Sequence, residues 1–166
     1  MLSIIIPTLN EEKYLPVLLK SIKSQNFQDY EIIVADAGSR DKTIKIAKKY
    51  GCKIIQGGLP SRGRNNGAKI AKGDTFLFLD ADAVLSSGFL EKSLEEFKRR
   101  KLGIAGFLMK PIGGKKIDKF MHDAFDKWMD ITKEKFCYAV IAIMSDRKVF
   151  ETVKGFDEEI KYGEDM

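Results

Sequence analysis

Two carboxylates separated by a single small residue, Asp80-Ala81-Asp82, directly follow the apolar run Thr75–Leu79. Like charges held this close together cost free energy unless a cation or a hydrogen-bond donor compensates them. Mg²⁺ and Mn²⁺ take oxygen ligands, commonly one or two carboxylates together with phosphate oxygens. The pattern therefore predicts a divalent-cation site that also suits a diphosphate, whose departure requires its charge to be neutralised.

Polar groups also follow two other apolar runs of the chain. Pro7-Thr8-Leu9-Asn10-Glu11 ends the first run, and Asp36 ends the second. In open α/β sheets, ligands bind beyond the carboxyl ends of the strands, where the strand order switches. Each group also has a purely structural interpretation, because Asn10 can cap a helix and Asp36 can serve the turn Ala37-Gly38-Ser39.

The elements that would position these groups alternate between strands and helices. Continuous apolar strands between amphipathic helices indicate a parallel sheet that is covered on both faces. Strands are predicted at Ser3–Pro7, Glu31–Ala35, Lys53–Gln56, Thr75–Leu79, Ile104–Met109 and Tyr138–Met144. Helices are predicted at Tyr14–Gln25, Asp41–Tyr50, Arg62–Lys72, Phe89–Arg100, Ile117–Ile131 and Asp146–Val153.

The composition excludes several broad classes of protein. With 44% hydrophobic and 32% charged residues, the 166-residue chain is neither disordered nor fibrous. No window reaches the ~18 consecutive apolar residues of a membrane helix. Cys52 and Cys137 form no metal-ligand spacing and no disulfide framework, so we expect reduced thiols in the cytoplasm.

A mild excess of positive charge favours anionic partners. The chain has 29 Lys and Arg residues against 24 Asp and Glu, which gives a formal net charge of +5. Nucleotides and acidic lipid surfaces fit this balance, although the spread of the lysines favours an ordinary solvated surface. Nucleic-acid binding would need a clustered basic face with interleaved aromatic residues, which Arg99-Arg100-Lys101 and Lys115-Lys116 lack. No nucleic-acid partner is therefore predicted.

Six short segments in a fixed order carry a resemblance to a known family. They are Ile4–Glu11, Glu31–Thr43, Arg62–Ala68, Phe78–Asp82, Lys154–Glu158 and Gly163–Asp165. Together they resemble family 2 inverting glycosyltransferases and cover nearly the whole chain. The resemblance implies an α/β GT-A fold, with a Rossmann-like, mostly parallel sheet and helices on both faces. We expect one domain over residues 1–166, in which 1–110 bind the nucleotide-sugar and 111–166 begin an acceptor-side half that is incomplete at its end.

The resemblance also implies a role for individual residues. Asp36 matches the residue that receives the nucleobase, Asp80 would contact the ribose or the water shell of the metal, and Asp82 would ligate the metal. Asp165 matches the general base that deprotonates the acceptor. The remaining residues implied to bind the nucleotide-sugar are Pro7, Thr8, Leu9, Glu11, Ala81, Arg62 and Arg64. For both arginines, a solvated charge on a helix surface is an equal alternative.

The implied reaction transfers a sugar from a UDP- or GDP-sugar to a lipid-phosphate or saccharide acceptor with a divalent cation, Mn²⁺ or Mg²⁺. Such enzymes act at the cytoplasmic face of the membrane, through segments that we expect outside this chain. The face that those segments would cover is a candidate homodimer interface.

The chain departs from the family pattern in two places. Ala37 stands where many members carry a second aspartate, and Arg40-Asp41-Lys42 replaces the commonest residues that follow Gly38-Ser39. These changes leave the selectivity for base and sugar open. Because Asp165 is the penultimate residue, we expect this chain to bind the donor nucleotide but to transfer poorly.

Other classes of protein fit the sequence less well. A haloacid-dehalogenase-type phosphatase would use Asp80 as its nucleophile, but its motif normally follows the first strand of the domain. A nucleotidyltransferase would need a glycine-rich loop after the first strand, and a dehydrogenase would need G-x-G-x-x-G there. A catalytically silent, nucleotide-binding GT-A scaffold remains open, as does a basic binding module.

Overall fold

Strands and helices alternate along the chain in the computed structural model, which describes residues 1–107 and 142–159. The strands are β1 (Leu2–Thr8), β2 (Tyr30–Asp36), β3 (Lys53–Gln56), β4 (Thr75–Leu79), β5 (Ile104–Phe107) and β6 (Ala142–Asp146). The helices are α1 (Leu15–Lys23), α2 (Thr43–Lys49), α3 (Pro60–Ile70), α4 (Phe89–Arg99) and α5 (Arg147–Thr152). The predicted helix Ile117–Ile131 and the candidate base Asp165 lie outside the described residues.

The strands form one six-stranded sheet in the order β3-β2-β1-β4-β6-β5. β1 is parallel to both β2 and β4, and β2 is parallel to β3. β6 runs antiparallel to both of its neighbours, β4 and β5. The sheet is therefore mostly parallel, as predicted. Its strand order reverses between β1 and β4, which is where ligands bind in sheets of this kind.

Helices cover both faces of the sheet because the strand residues alternate in direction. On one face, Ile4 and Ile6 of β1 join a core with apolar residues of α1, α2 and α4. On the other face, Ile5 packs in a second core with Phe76 and Phe78 of β4, next to α3 and α5. Both cores combine the apolar runs from which the strands were predicted with apolar residues of the covering helices.

α3 is a polar helix that is nevertheless largely buried. Its buried residues include Ser61, Arg64 and Asn65. The helix approaches β1 closely through Gly67, where a Cβ atom would overlap the side chain of Ile5. This close approach brings polar side chains of α3 to the carboxyl edge of the sheet.

Most predicted boundaries moved by one or two residues, and two of these shifts have a local reason. α3 begins at Pro60 rather than at Arg62, because proline suits the first turn of a helix. β6 extends to Asp146 rather than ending at Met144. The carboxylate of Asp146 then accepts hydrogen bonds from the amides of Lys148 and Val149, which caps α5 at the predicted start.

Among residues 1–107 and 142–159, no helix has the length and apolar character needed to cross a membrane.

Candidate functional site

A cleft of about 470 Å³ opens at the reversal of the strand order, beyond the carboxyl ends of β1 and β4. Its lining residues come from the loops after these strands and from the start of α3. They are Pro7, Thr8, Leu9, Glu11, Gly58, Leu59, Pro60, Arg64, Asp80, Ala81 and Asp82. Asp36 and Arg62 line an adjoining cavity of about 530 Å³, with Gly58 shared between the two. The structure thus gathers the predicted site residues at one edge, except Asp165, which lies outside the described part of the chain.

Arg64 and Asp80 form an ion pair in the cleft. The Arg64 guanidinium donates to Oδ1 of Asp80 over 2.8 Å, and only 3% of Arg64 is exposed. The carbon at the centre of the guanidinium also lies 5.3 Å from the ring centroid of Phe156. Because a buried charge needs a partner, this contact decides between the two interpretations of Arg64. Arg64 is not a solvated surface charge, whereas Arg62 is exposed.

Asp82 and Glu11 also face the cleft, and Asp82 is exposed. Burial, together with the negative charges of Asp82, Asp41 and Asp80, raises the pKa of the Glu11 carboxyl above its ordinary value. The backbone amide of Glu11 is held by Oγ1 of Thr43 at 2.7 Å. The cleft is therefore an electronegative place, which a bound cation would relieve.

This donor set would supply only part of the ligands of a divalent cation. Within the described ranges, no cluster of three or more Asp, Glu, His or Cys side chains is arranged to hold a metal ion. Asp82 offers an exposed carboxylate. Asp80, the first residue after β4, offers a second carboxylate, whose Oδ1 is hydrogen-bonded to Arg64. One or two carboxylates are what Mg²⁺ takes from proteins when substrate phosphates and water supply the other ligands. The residues fit a cation whose coordination a diphosphate completes.

Asp36 holds the loop that follows β2. Its Oδ2 accepts from the amides of Gly38 and Ser39 at 2.9 and 2.8 Å, and its Oδ1 accepts from Oγ of Ser39 at 2.5 Å and Oγ1 of Thr8 at 3.1 Å. Asp36 is only 6% exposed, and burial alone would raise its pKa. These hydrogen bonds outweigh that effect and leave the pKa of Asp36 below its ordinary value. The turn-forming role considered from the sequence is therefore real, whatever else Asp36 contacts.

Asn10 does not cap a helix, since α1 begins only at Leu15. The φ angle of Asn10 is 58°, in the left-handed region that asparagine tolerates better than most residues. Its Oδ1 accepts from the amide of Arg40 at 2.9 Å, and its own amide donates to Oγ of Ser39 at 2.8 Å. Asn10 therefore ties the loop after β1 to the loop after β2.

Sequence reasoning assigned no role to Asn65 or to Phe156. Asn65 is buried and makes hydrogen bonds to Phe156 and Glu158, which follow α5. Both residues lie in segments that carry the family resemblance. Their position in those segments was the only available signal, because a buried polar pair between distant segments leaves no pattern in the sequence.

The fold and the cleft define the class of protein, and comparison with known proteins supplies the family. The architecture is that of the GT-A glycosyltransferases. A family model described as glycosyl transferase family 2 matches residues 3–152. The chain belongs to that family, as its sequence motifs predict, and the phosphatase alternative is thereby set aside.

Curated relatives are glycosyltransferases of considerably greater length. The chain is 26% identical over 174 residues to the poly(ribitol-phosphate) beta-N-acetylglucosaminyltransferase TarS of Staphylococcus aureus, covering 99% of this chain and 30% of the relative. It is 31% identical over 147 residues to the GalNAc(5)-diNAcBac-PP-undecaprenol beta-1,3-glucosyltransferase of Campylobacter jejuni, covering 83% of this chain and 48% of the relative. The chain thus spans less than half the length of these two relatives.

Solved structures resemble this fold over nearly its whole length. S. aureus TarS 1–349 in complex with UDP-GlcNAc has a TM-score of 0.78 at 26% identity, covering 99% of this chain and 50% of that one. A mannosyltransferase from Pyrobaculum calidifontis in complex with GDP-Man and Mn²⁺ has a TM-score of 0.76 at 16% identity, covering 99% and 49%. The second likeness speaks for the fold alone.

Proposed function

We propose that this chain carries the donor site of an inverting glycosyltransferase that moves a sugar from a nucleotide-diphospho-sugar to a lipid-linked or saccharide acceptor. One observation carries the proposal: the cleft at the β1–β4 switch point gathers the exposed carboxylate of Asp82, the Arg64–Asp80 pair and the loop Pro7–Glu11. The UDP-GlcNAc bound by TarS, at 26% identity, supports the donor class.

The donor lies across the carboxyl ends of the sheet in this proposal. Pro7, Thr8 and Leu9 wall the nucleoside, and the adjoining cavity with Asp36 and Arg62 receives the base of UDP or GDP. The oxygens of Asp36 already accept four hydrogen bonds from Thr8, Gly38 and Ser39. An N–H group of the base would therefore share an acceptor oxygen with two of these donors. Asp36 then fixes the shape of the base site and offers only a weak contact to the base itself.

The diphosphate belongs next to Asp80 and Asp82. Asp82, with Asp80 beside it, would hold Mn²⁺ or Mg²⁺ together with the diphosphate, and the cation would neutralise the negative charge of the departing nucleoside diphosphate. Arg64 fixes the orientation of the Asp80 carboxylate through its hydrogen bond to Oδ1. Holding charged groups in place before the reaction starts is the main way in which such a site lowers a barrier.

Transfer itself needs a base on the acceptor side. An acceptor hydroxyl attacks the anomeric carbon, the bond between that carbon and the diphosphate oxygen breaks, and the configuration inverts. Asp165 takes the proton of the hydroxyl in this proposal, which rests on the family resemblance because Asp165 lies outside the described residues. Such general-base help is typically worth about 10²–10⁴ in rate.

The wider setting of the enzyme follows from the family. Residues 1–110 form the nucleotide-sugar half in this proposal, and residues 111–166 begin the acceptor half. Lipid-linked acceptors would place the full enzyme at the cytoplasmic face of a membrane, and a homodimer would cover the acceptor-side face. The C. jejuni relative, named for an undecaprenol-linked acceptor, supports this setting.

Calorimetric titration of UDP, GDP and CDP, each with and without Mn²⁺, tests the donor site. We expect one nucleotide to bind the wild type tightly in the presence of Mn²⁺, and Asp82→Ala to weaken that binding about tenfold or more. Asp74→Ala is the matched control, because Asp74 precedes β4 at the opposite edge of the sheet and its side chain is 90% exposed. Asp74→Ala should bind as the wild type does.

Three results would contradict the proposal. Absence of binding by any nucleotide under all conditions would remove the donor site. Equal losses in Asp82→Ala and Asp74→Ala would point to a general effect on folding rather than to a cation site. Nucleotide binding without any release of nucleotide from UDP- or GDP-sugars would favour the silent scaffold instead.

A further inference from the structure

The side chain of Asn65 joins α3 to the segment that follows α5. Its Nδ2 donates to the carbonyl of Phe156 at 2.8 Å and to Oε1 of Glu158 at 2.9 Å. Its Oδ1 accepts from the amide of Phe156 at 2.9 Å. The carboxamide therefore satisfies both backbone polar groups of Phe156, as a neighbouring strand would. We call the contact between Asn65 and residues 155–158 the Asn65 clamp.

The clamp is fitted closely on the side of the segment. Gly155 has a φ angle of 76°, and a Cβ atom there would lie 2.5 Å from Oδ1 of Asn65 and 3.0 Å from Cζ of Phe150. The ring of Phe156 packs edge-on against Phe78 of β4, with 5.1 Å between ring centroids and an interplanar angle of 89°. Glycine is thus required at 155, and the aromatic contact fixes the segment against the sheet.

The residue before Asn65 faces the donor cleft. Arg64 donates to Asp80 at 2.8 Å, and its guanidinium lies 5.3 Å from the ring centroid of Phe156. Of these two consecutive residues of one buried helix turn, Arg64 therefore contacts Asp80, and both contact the segment 155–158. Asp165 follows that segment within a few residues of the sequence.

We propose that Asn65 is a positioning residue for sugar transfer, because its clamp fixes the start of the acceptor-side segment relative to the donor cleft. This inference rests on the proposed function, in which Asp165 is the general base. A displaced base loses rate without any loss of donor binding, and a misplacement of ~1 Å can cost about 10²-fold. If the clamp served only the fold, its loss would lower the stability of the protein and leave the kcat of the folded molecules unchanged.

Three variants of the full chain test the clamp. Asn65→Leu removes all three hydrogen bonds, and Asn65→Asp keeps the acceptor for the Phe156 amide but loses both donors. Asn66→Ala is the matched control, since Asn66 is the next residue of α3 and donates instead to the carbonyl of Gln56 at 3.2 Å. All are assayed well below their melting temperatures, so that a loss of folded protein does not enter the result.

The assay follows release of UDP from UDP-GlcNAc and of GDP from GDP-mannose, with Mn²⁺ and with water in the place of the acceptor hydroxyl, so that the sugar is released free. Hydrogen exchange is measured at residues 155–158. We expect both Asn65 variants to lower kcat about tenfold or more while KM for the donor and Kd for UDP or GDP stay within about threefold of wild type. The Phe156 amide should exchange faster in Asn65→Leu. Asn66→Ala should match the wild type in every readout.

A rescue strengthens the assignment. In Asn65→Asp, the two carboxylates at positions 65 and 158 face each other at hydrogen-bond distance. Adding Glu158→Gln replaces the carboxylate at position 158 with a carboxamide, whose NH₂ group can donate to the carboxylate at position 65. The kcat of the double variant should therefore exceed that of Asn65→Asp alone. No recovery, with an unchanged exchange rate at Phe156, would count against the clamp.

The outcomes separate this inference from the proposed function. If the wild type binds neither nucleotide, or binds one and releases none from its sugar, the proposed function fails and the positioning role falls with it. If the wild type binds and turns over, but Asn65→Leu keeps kcat within about twofold, only the positioning role is overturned. Parallel losses of Kd and kcat would make Asn65 part of the donor site and would also overturn it.

Discussion

Asp36 and Glu11 are carboxylates at the same edge of the sheet, and their surroundings act on them in opposite directions. Asp36 is buried among hydrogen-bond donors, which keep its pKa below the ordinary value. Glu11 is partly buried and faces the charges of Asp82, Asp41 and Asp80, which together raise its pKa. The first arrangement stabilises the native loop, whereas the second costs stability until a cation or a proton arrives. Sites that bind charged ligands commonly carry this kind of cost.

The largest effect is expected at Asp36. Asp36→Ala leaves two backbone amides and two hydroxyl groups without their acceptor, so the free energy of unfolding should fall by about 2–4 kcal/mol. Asp36→Asn should cost less than half of that, because its oxygen can still accept from the amides while its NH₂ donates to the hydroxyl oxygens. Urea denaturation at pH 7 measures both values.

Acid should remove the advantage of Asp36. A carboxyl whose pKa is lowered in the native state contributes stability at pH values above its pKa in the unfolded state. That contribution is lost as the pH falls through the native pKa. The difference between wild type and Asp36→Asn should therefore be largest at neutral pH and shrink toward pH ~3. A difference that stays constant with pH would show that the hydrogen bonds do not act through the charged form.

A smaller effect is expected at the Arg64–Asp80 pair. Arg64→Met removes the charge that Asp80 contacts, but Asp80 keeps some access to water, with 36% of its side chain exposed. We expect a loss of about 1–3 kcal/mol, below the 3–5 kcal/mol typical of a fully buried pair. The double variant Arg64→Met/Asp80→Asn should recover part of that loss. Full additivity of the two substitutions would mean that the pair carries no coupling.

The smallest effect, with the opposite sign, is expected at Glu11. Glu11→Gln removes a carboxylate from a repulsive site and should raise Tm by about 1–2 °C at pH 7. A carboxyl whose pKa is raised in the native state contributes its full stability at pH values below its pKa in the unfolded state. It loses that contribution as the pH rises through the native pKa. The gain of the variant should therefore vanish below pH ~4.

Glu12→Gln is the matched control for Glu11→Gln. Glu12 is the next residue, but its Oε2 accepts from the amide of Lys42 at 3.0 Å, away from the cleft. This control should not stabilise the protein. If Glu11→Gln also failed to stabilise it, the contrast between the two carboxylates would lose its electrostatic basis. Calorimetric melting curves at pH 7 and pH 4 decide the matter.

Much of the architecture could be predicted because strand and helix patterns are local. The runs at Lys53–Gln56 and Thr75–Leu79 became strands with the predicted bounds. Motif order also identified the family. The cleft residues could be named in advance from the family resemblance, and the reversal of strand order between β1 and β4 dictates where their side chains meet.

The remaining features depend on contacts that no local pattern encodes. α3 has the polar composition of a surface helix, yet Gly67 lets it lie against β1 with Arg64 and Asn65 buried. The place of β6 between β4 and β5 depends on pairing across a long stretch of sequence. Asn10 shows the same limit, since the loop that it bonds to starts about 30 residues later.

The position of β6 also bears on how the chain assembles during synthesis. β4 has β1 on one side, but its other edge stays open until residues Ala142–Asp146 leave the ribosome. An open edge beside the aromatic side chains of Phe76 and Phe78 invites pairing with other chains. Pairing with this late strand closes that edge, so a translational pause before it should lower the yield of folded protein.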